Sequence, residues 1–153
     1  MADIIKVGAV APDFTLVDQF EKEISLSDFK GKKVLLSWHP LAWTSVCTDQ
    51  MRALESHYDR FEAANTVVLG LSVDAQPSKS VWAKALSLFN IHILADFHPV
   101  GEVSKAYDVF MAEAGMSGRA NVLVGEDGKV IWAKRYEPAE LPDIEEVLDA
   151  VEQ

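Results

Sequence analysis

The sequence predicts an α/β protein in which one mixed sheet carries helices on both faces. Short apolar runs alternate with segments whose apolar residues recur every three or four positions, which is typical of strands linked by helices. Near the C-terminus, Asp127 and Gly128 lie between two apolar runs and give the strongest short signal for an antiparallel hairpin. The length of 153 residues suits one domain, so we expect a single domain over residues 1–153.

Seven apolar or alternating runs predict strands. In chain order they are residues 14–17, 23–26, 34–38, 66–73, 91–94, 120–124 and 130–133. The first two runs flank a charged turn and predict a short strand pair in front of the main sheet. Residues 34–38 and 66–73 are mostly apolar, which is typical of strands buried on both faces of a sheet. The last two runs flank the Asp-Gly turn and predict the closing hairpin.

Four segments with helical spacing lie between or after these runs. They are residues 47–64, 77–89, 103–109 and 141–151, and residues 27–29 add one helical turn. In the first segment Met51, Leu54, Tyr58 and Phe61 form the apolar face of an amphipathic helix. Pro77 suits the first turn of the second helix. The resulting order, with two strand–helix units followed by a hairpin and a helix, is that of the thioredoxin fold with an N-terminal β-hairpin extension.

The charge and hydropathy of the chain exclude several classes of partner. Its formal net charge is −10, which disfavours contact with phosphate backbones, so we expect no nucleic-acid partner. No apolar run reaches the roughly 18 residues that a membrane helix needs, so we expect no membrane partner. The N-terminal residues do not show the basic and then apolar pattern of a secretory signal. We therefore expect a cytoplasmic protein.

The chain has a single cysteine, Cys47. One cysteine cannot form an internal disulfide, a zinc site of the multi-cysteine kind or a Cys-x-x-Cys redox pair. We expect no metal and no cofactor. Two interpretations remain, an inert buried thiol or a single reactive one, and general experience of free cysteines favours the inert thiol.

The position of Cys47 favours the reactive interpretation. It follows a predicted strand and a short loop and lies at the start of a predicted helix, where open α/β sheets bind ligands. Free backbone N–H groups and the helix dipole at this point favour a thiolate, which is the nucleophilic form. Thr44 lies three residues before the cysteine, so its hydroxyl can approach the sulfur or a substrate oxygen. A plain helix cap formed by Thr44 or Ser45 remains an equal alternative.

The pattern Pro40-x-x-x-Thr44-x-x-Cys47 resembles the active-site signature of the peroxiredoxins, the thiol peroxidases of the AhpC/TSA superfamily. Four further segments resemble the same family in register, namely residues 8–16, 26–32, 94–96 and 118–120. Within the family, residues 40–44, 95–97 and 103–107 are most similar to the AhpE-type one-cysteine enzymes. The pair His39-Pro40 instead resembles a one-cysteine group that has a longer C-terminal region.

This resemblance implies an enzyme and assigns roles to five residues. Cys47 is then the peroxidatic thiolate, which attacks a hydroperoxide and becomes a sulfenic acid. Arg119 is the cation that faces thiolate and peroxide, and the backbone amides of Val46 and Cys47 complete the donor set. Thr44 orients the peroxide, and Pro40 shields the sulfur.

The resemblance also leaves some roles open. His39 either hydrogen-bonds near Cys47 or is a packed residue at a strand end. Gln50 stands where the family often has glutamate, so we assign it no acid–base role. Because no second cysteine can resolve the sulfenic acid, the expected partner is an external thiol: a low-molecular-weight thiol, thioredoxin or a glutaredoxin-like protein. The resemblance further implies a homodimer.

Two other functions remain as alternatives. One is a different thioredoxin-fold oxidoreductase that acts on protein disulfides, although Thr44 and Gln50 occupy the two positions where a Cys-x-x-Cys pair would need a second cysteine. The other is a thiol-based peroxide sensor or a holdase-like chaperone. A sensor needs fast oxidation but no catalytic cycle, so turnover separates it from a peroxidase.

Overall fold

The centre of the computed structural model, which describes residues 3–153, is a seven-stranded mixed sheet. Its strands are β1 (Thr15–Val17), β2 (Glu23–Ser25), β3 (Lys33–Trp38), β4 (Thr66–Ser72), β5 (His92–Ala95), β8 (Arg119–Val124) and β9 (Val130–Tyr136). They lie in the order β2-β1-β5-β4-β3-β8-β9. Strand β4 is parallel to β3 and β5, and all other neighbours are antiparallel. The predicted thioredoxin fold with an N-terminal hairpin extension is confirmed, and the extension joins the sheet through β1 and β5.

Five α-helices and one 3-10 turn accompany the strands; the last helix, α5, follows the final strand. The 3-10 turn is Leu26–Phe29, and the helices are α1 (Ser45–Ser56), α2 (Tyr58–Ala63), α3 (Gln76–Ala85), α4 (Glu102–Ala106) and α5 (Ile144–Val151). Two further short strands, β6 (Phe110–Met111) and β7 (Met116–Ser117), form a separate hairpin. Among the helices of residues 3–153, none has the length and apolar character needed to cross a membrane.

Alternate side chains of the strands build two apolar cores, one on each face of the sheet. Leu36 and Trp38 of β3 pack on one face with Val103 of α4 and with residues of the N-terminal segment. Leu35, which immediately precedes Leu36, packs on the other face with α1, α2, α3 and α5. Because strand side chains alternate, the odd-numbered residues of β3 and β8 face the four-helix side, where α1 begins.

The predicted first helix is divided in two at His57. The ring nitrogen Nδ1 of His57 lies 2.8 Å from the carbonyl oxygen of Ala53, which is the normal helical acceptor for the amide of residue 57. The His57 amide donates to the carbonyl of Leu54 instead, at 3.3 Å. The helix therefore ends at Ser56, and α2 begins with Tyr58.

Three other helix boundaries and one hairpin differ from the prediction. The helix expected over residues 103–109 spans only Glu102–Ala106. The helix expected over residues 77–89 ends at Ala85, and Ser87 adopts a left-handed φ of 57° that turns the chain away. The last helix begins at Ile144 because Asp143 caps it by accepting a hydrogen bond from the amide of Glu145. The β6–β7 hairpin was not predicted, since two residues per strand are too few to show a period.

Candidate active site

The sheet brings the loop before α1 next to the start of β8. Strands β3 and β8 are antiparallel, and Trp38 near the end of β3 lies opposite Ala120 near the start of β8. Arg119 therefore lies beside the point where the chain leaves β3 for the loop. Helix α1 begins after that loop, with Cys47 in its first turn. Two residues that are far apart in sequence thus meet at one edge of the sheet.

Cys47 and Arg119 form a buried pair. Arg119 Nη1 donates a hydrogen bond to Cys47 Sγ at 3.4 Å, and the two residues are 0% and 3% exposed. The guanidinium is held from behind, because Nε and Nη2 donate to the carbonyl oxygen of Pro138 at 3.1 and 2.6 Å. An arginine keeps its charge in proteins, so the buried sulfur has a fixed cation as its neighbour.

Gln50 clamps the same arginine. Its Oε1 accepts a hydrogen bond from Arg119 Nη1 at 2.6 Å, and its Nε2 donates to Ser37 Oγ at 2.8 Å and to the carbonyl of Trp38 at 3.1 Å. An amide can both accept from a guanidinium and donate to a carbonyl, which an ionised carboxylate cannot do. The sequence did not indicate this positioning role. The feature of the sequence that could have revealed it is the helical spacing, which places residue 50 on the same buried face as Cys47 and Met51.

Thr44 occupies the N-cap position of α1, but its side chain does not cap the helix. Its hydroxyl donates to the carbonyl of Leu41 at 2.8 Å, which directs the proton away from the sulfur and leaves the oxygen lone pairs free to accept. Val46 and Cys47 lie in the first turn, where backbone amides have no helical partner. The Thr44 side chain is exposed, three residues before Cys47.

The loop before α1 is tied to α3 and to the end of β4. Trp43 adopts a left-handed φ of 73°, and its indole N–H donates to Ser78 Oγ at 3.1 Å. The Asp74 carboxylate accepts from the amide of Ala42 at 2.8 Å and from the hydroxyl of Ser72 at 2.6 Å. These contacts hold the loop that presents Thr44 and Cys47.

His39 and Pro40 are both buried beneath this loop. The His39 ring lies against Trp82, with ring centroids 5.2 Å apart, and its Nε2 accepts from Lys79 Nζ at 3.2 Å. Burial holds the pKa of His39 well below 6.5, and the charges of Lys79 and Arg119 lower it further. A hydrogen bond with the backbone of Ser37 acts in the opposite direction. His39 is therefore a neutral, packed imidazole near the site.

Lys79 on α3 is the second residue that the sequence did not indicate. It is fully buried, and its Nζ also donates to the carbonyl of Leu94 at 2.9 Å. Burial lowers the pKa of Lys79 to about 7, while Asp74, Cys47 and Asp96 raise it. Lys79 precedes Trp82 and Ala83 by three and four residues, so helical spacing was the signal that places it on the buried face.

The chemistry available at this edge of the sheet is that of one thiol. Over residues 3–153, no group of three or more histidine, cysteine, aspartate or glutamate side chains is arranged to hold a metal ion. A thiol at a helix start beside an immobilised guanidinium, on a thioredoxin-type sheet, defines the site of a thiol-dependent oxidoreductase.

Comparison with known proteins identifies the family. The model of the AhpC/TSA family matches residues 7–133. The chain therefore belongs to this family and is a peroxiredoxin, an enzyme of the peroxidase class. It is similar to alkyl hydroperoxide reductase E of Mycobacterium tuberculosis, at 38% identity over 92% of each chain. It is also 32% identical to a thiol peroxidase of Listeria innocua, over 97% of this chain and 88% of the relative.

Solved structures agree with this assignment. The reduced 2-Cys peroxiredoxin of Plasmodium vivax matches 95% of this chain and 79% of its own, with a TM-score of 0.85 and 31% identity. AhpC of Enterococcus faecalis matches 95% of this chain and 90% of its own, with a TM-score of 0.88. At 22% identity, this match shows the shared fold.

Proposed function

We propose that this peroxiredoxin reduces hydrogen peroxide and organic hydroperoxides through Cys47 and is regenerated by an external thiol. The hydrogen bond from Arg119 Nη1 to Cys47 Sγ at 3.4 Å, at the start of α1, is the observation that carries the proposal. It supplies a fixed cation at the only sulfur in the chain that can become a thiolate.

The oxidative step consumes the thiolate and one proton. The sulfur of Cys47 attacks the terminal oxygen of ROOH, the S–O bond forms as the O–O bond breaks, and the departing oxygen takes a proton to leave as ROH. Cys47 becomes a sulfenic acid. The Arg119 guanidinium and the amides of Val46 and Cys47 stabilise the charge that develops on the peroxide oxygens. The lone pairs of Thr44 accept from the peroxide, and Pro40 shields the sulfur from water.

Regeneration requires two equivalents of thiol. The first thiol condenses with the sulfenic acid to a mixed disulfide and releases water. The second thiol attacks this disulfide, which restores Cys47 and releases the oxidised donor. We propose a low-molecular-weight thiol, thioredoxin or a glutaredoxin-like protein as the donor, a cytoplasmic location, and a homodimer as the assembled form.

Turnover with purified protein tests the proposal. Peroxide consumption is followed over many equivalents with a panel of thiol donors, for the native chain and for Cys47→Ser. We expect the native chain to turn over with at least one donor and the serine variant to consume none. Persistent consumption by Cys47→Ser would exclude the thiol as nucleophile.

A relocated thiol provides the matched control. The double variant Cys47→Ser, Ser56→Cys carries one thiol at the far, exposed end of the same helix. We expect it to react with peroxide no faster than a free thiol, because Arg119 and the helix start are absent there. A native chain that oxidises rapidly but completes one turnover only, with every donor, would favour a sensor over a peroxidase.

A further inference from the structure

The buried guanidinium of Arg119 has no carboxylate partner. Its hydrogen bonds go to the carbonyl oxygen of Pro138, to Oε1 of Gln50 and to Sγ of Cys47. Four ion pairs join residues in the part of the chain that the structure describes, and none of them includes Arg119. The carbonyl and the amide are neutral groups, so the sulfur is the one partner in this set that can carry a negative charge.

Gln50 occupies the place where a carboxylate would change this arrangement most. Its Oε1 lies 2.6 Å from Arg119 Nη1, whereas Cys47 Sγ lies 3.4 Å from the same nitrogen. An ionised carboxylate at this position would therefore be a nearer anion than the sulfur. The other end of the side chain also suits an amide, because Nε2 donates to Ser37 Oγ at 2.8 Å and to the carbonyl of Trp38 at 3.1 Å. A carboxylate oxygen would face that carbonyl without a proton to donate.

We infer that Gln50 is a positioning residue that holds Arg119 without neutralising it, so that the full charge of the guanidinium acts on Cys47 and on the peroxide. This inference rests on the proposed peroxidatic role of Cys47. Gln50 acts through Arg119 rather than on the reacting atoms. In the oxidative step, negative charge moves from the sulfur to the departing oxygen. A guanidinium already paired with a carboxylate stabilises such a charge less than a free one does.

The other titratable groups around the site leave this role to residue 50. His39, after β3, is a neutral imidazole, and Lys79 of α3 is a buried amine that donates to its ring at 3.2 Å. Neither group supplies a negative charge. Glu137 and Glu140 flank Pro138 in the loop after β9, but both are exposed, so water screens their charges. The choice between amide and carboxylate on α1 therefore sets the charge that directly opposes the guanidinium.

Replacement of the amide by a carboxylate of the same size tests the inference. Gln50→Glu keeps an acceptor for Arg119 but pairs its charge once the new carboxyl ionises. At a pH where that carboxyl and Cys47 are both ionised, we expect the oxidation rate constant per thiolate to fall at least about tenfold. It should recover as the pH falls and the carboxyl takes up a proton, an ionisation that the native pH profile lacks. Stopped-flow oxidation gives the rate, and thiolate absorbance gives the ionised fraction.

Gln50→Met separates charge from hydrogen bonding. Methionine is neutral and of similar length, and Pro138 still holds two nitrogens of Arg119 in this variant. We expect it to oxidise faster than Gln50→Glu wherever the carboxyl is ionised, and to show no additional ionisation. A methionine variant as slow as Gln50→Glu would overturn the inference, because lost hydrogen bonds would then explain both. Native rates in Gln50→Glu at every pH would overturn it as well.

The matched control is Arg52→Gln on the exposed side of the same helix. It changes the net charge of the chain by the same amount as Gln50→Glu, but it does so at a position that water screens. We expect its oxidation rate and pH profile to equal those of the native chain. If it slowed oxidation as much as Gln50→Glu does, the general charge of the protein would explain the effect, and the inference would be wrong.

A second measurement keeps Gln50 in place and does not depend on any variant at that position folding. NMR of labelled arginine follows the side-chain N–H signals of Arg119, assigned with Arg119→Lys, while the pH is varied without peroxide. We expect these signals to shift together with the thiolate absorbance and to stay constant in Cys47→Ser. Signals that ignore the ionisation of the thiol would overturn the inference. Peroxide consumption by Cys47→Ser in the turnover experiment would instead overturn the proposed function, so the two failures are distinguishable.

Discussion

The guanidinium of Arg119 is held at the site because each of its nitrogens makes a hydrogen bond. Nε and Nη2 bind the carbonyl of Pro138, while Nη1 serves both Gln50 Oε1 and Cys47 Sγ. A planar fork with several donors can satisfy these three partners at once, and a single ammonium cannot. The position therefore requires arginine for its geometry as well as for its charge.

The first prediction concerns Arg119→Lys. This substitution keeps the charge but loses the fork, so we expect oxidation of Cys47 to slow by about 10²-fold, the usual cost of losing one transition-state donor. Stopped-flow oxidation measures the rate, and near-UV circular dichroism checks the fold. The control is Arg135→Lys in β9. Native rates in Arg119→Lys would show that charge alone suffices at this position.

The second prediction concerns pH and His39. Burial holds the pKa of His39 well below 6.5 in the folded chain, whereas the unfolded chain titrates near 6.5. Below pH 6.5 the unfolded state therefore binds more protons, and the free energy of unfolding falls as the pH falls. We expect His39→Gln to weaken this decline. Urea denaturation of both chains, repeated about every half pH unit between pH 7.5 and pH 5, measures the free energy of unfolding. Parallel curves would contradict a neutral, buried His39.

At the scale of elements, helix α1 packs closely on strand β4 at Gly70. A Cβ built at Gly70 would lie 2.6 Å from Met51 Sδ and 3.2 Å from Ile93 Cδ1. Met51 is one turn beyond Cys47 on α1, so the absence of a side chain at Gly70 decides how near the cysteine-bearing helix comes to the sheet.

The third prediction follows from this contact. Gly70→Ala should destabilise the fold by about 1–3 kcal/mol, the usual cost of overpacking a core. Met51→Ala removes the opposing sulfur, so the double variant should be more stable than the sum of the two single effects. Chemical denaturation of the four chains measures the coupling. Strict additivity would show that the helix moves freely away from β4.

The fourth prediction concerns the start of α5. Asp143 is the N-cap residue of α5, and its side chain accepts a hydrogen bond from the backbone amide of Glu145. Asp143→Ala should cost about 1 kcal/mol of stability. Asp143→Asn, which keeps an acceptor, should recover most of it, and thermal unfolding distinguishes the two. A loss in both variants would indicate that charge at the helix start, rather than capping, is what matters.

On the scale of the whole molecule, the parallel pairing of β3, β4 and β5 brings their carboxyl ends to one edge of the sheet. The loop with Trp43 follows β3 and the loop with Phe97 follows β5, and these side chains are 55% and 51% exposed. Two exposed aromatic side chains at this edge of the sheet are consistent with the homodimer proposed above.

The fifth prediction uses this surface. If a second copy covers it, Phe97→Asp should weaken the dimer at least tenfold, because it buries a charge at an apolar contact. Phe20→Asp is the control, since Phe20 is 57% exposed in the turn between β1 and β2, at the opposite end of the sheet. Sedimentation velocity measures association. An unchanged association of Phe97→Asp would show that the interface lies elsewhere on the surface.

The sequence by itself determined the order of the main strands and helices and pointed to Cys47 as the candidate nucleophile. Both follow from local features: the apolar period, the Asp-Gly turn and the signature Pro40-x-x-x-Thr44-x-x-Cys47. The boundaries were less predictable. The break at His57 depends on a side chain bonded to its own helix, and periodicity does not record such a contact.

The family resemblance already predicted that Arg119 faces Cys47, but only the tertiary structure decided how this arginine is held and which other polar groups lie around it. Arg119 is 72 residues away in sequence, and Gln50 and Lys79 gained their contacts from the faces on which α1 and α3 pack. Helical spacing shows that a polar residue lies on a buried face, but not what it meets there. The partners depend on strand order and register, which long-range packing determines. That is why the sequence indicated the candidate nucleophile, while the hydrogen bonds of Gln50 to Arg119 and the buried position of Lys79 emerged from the fold.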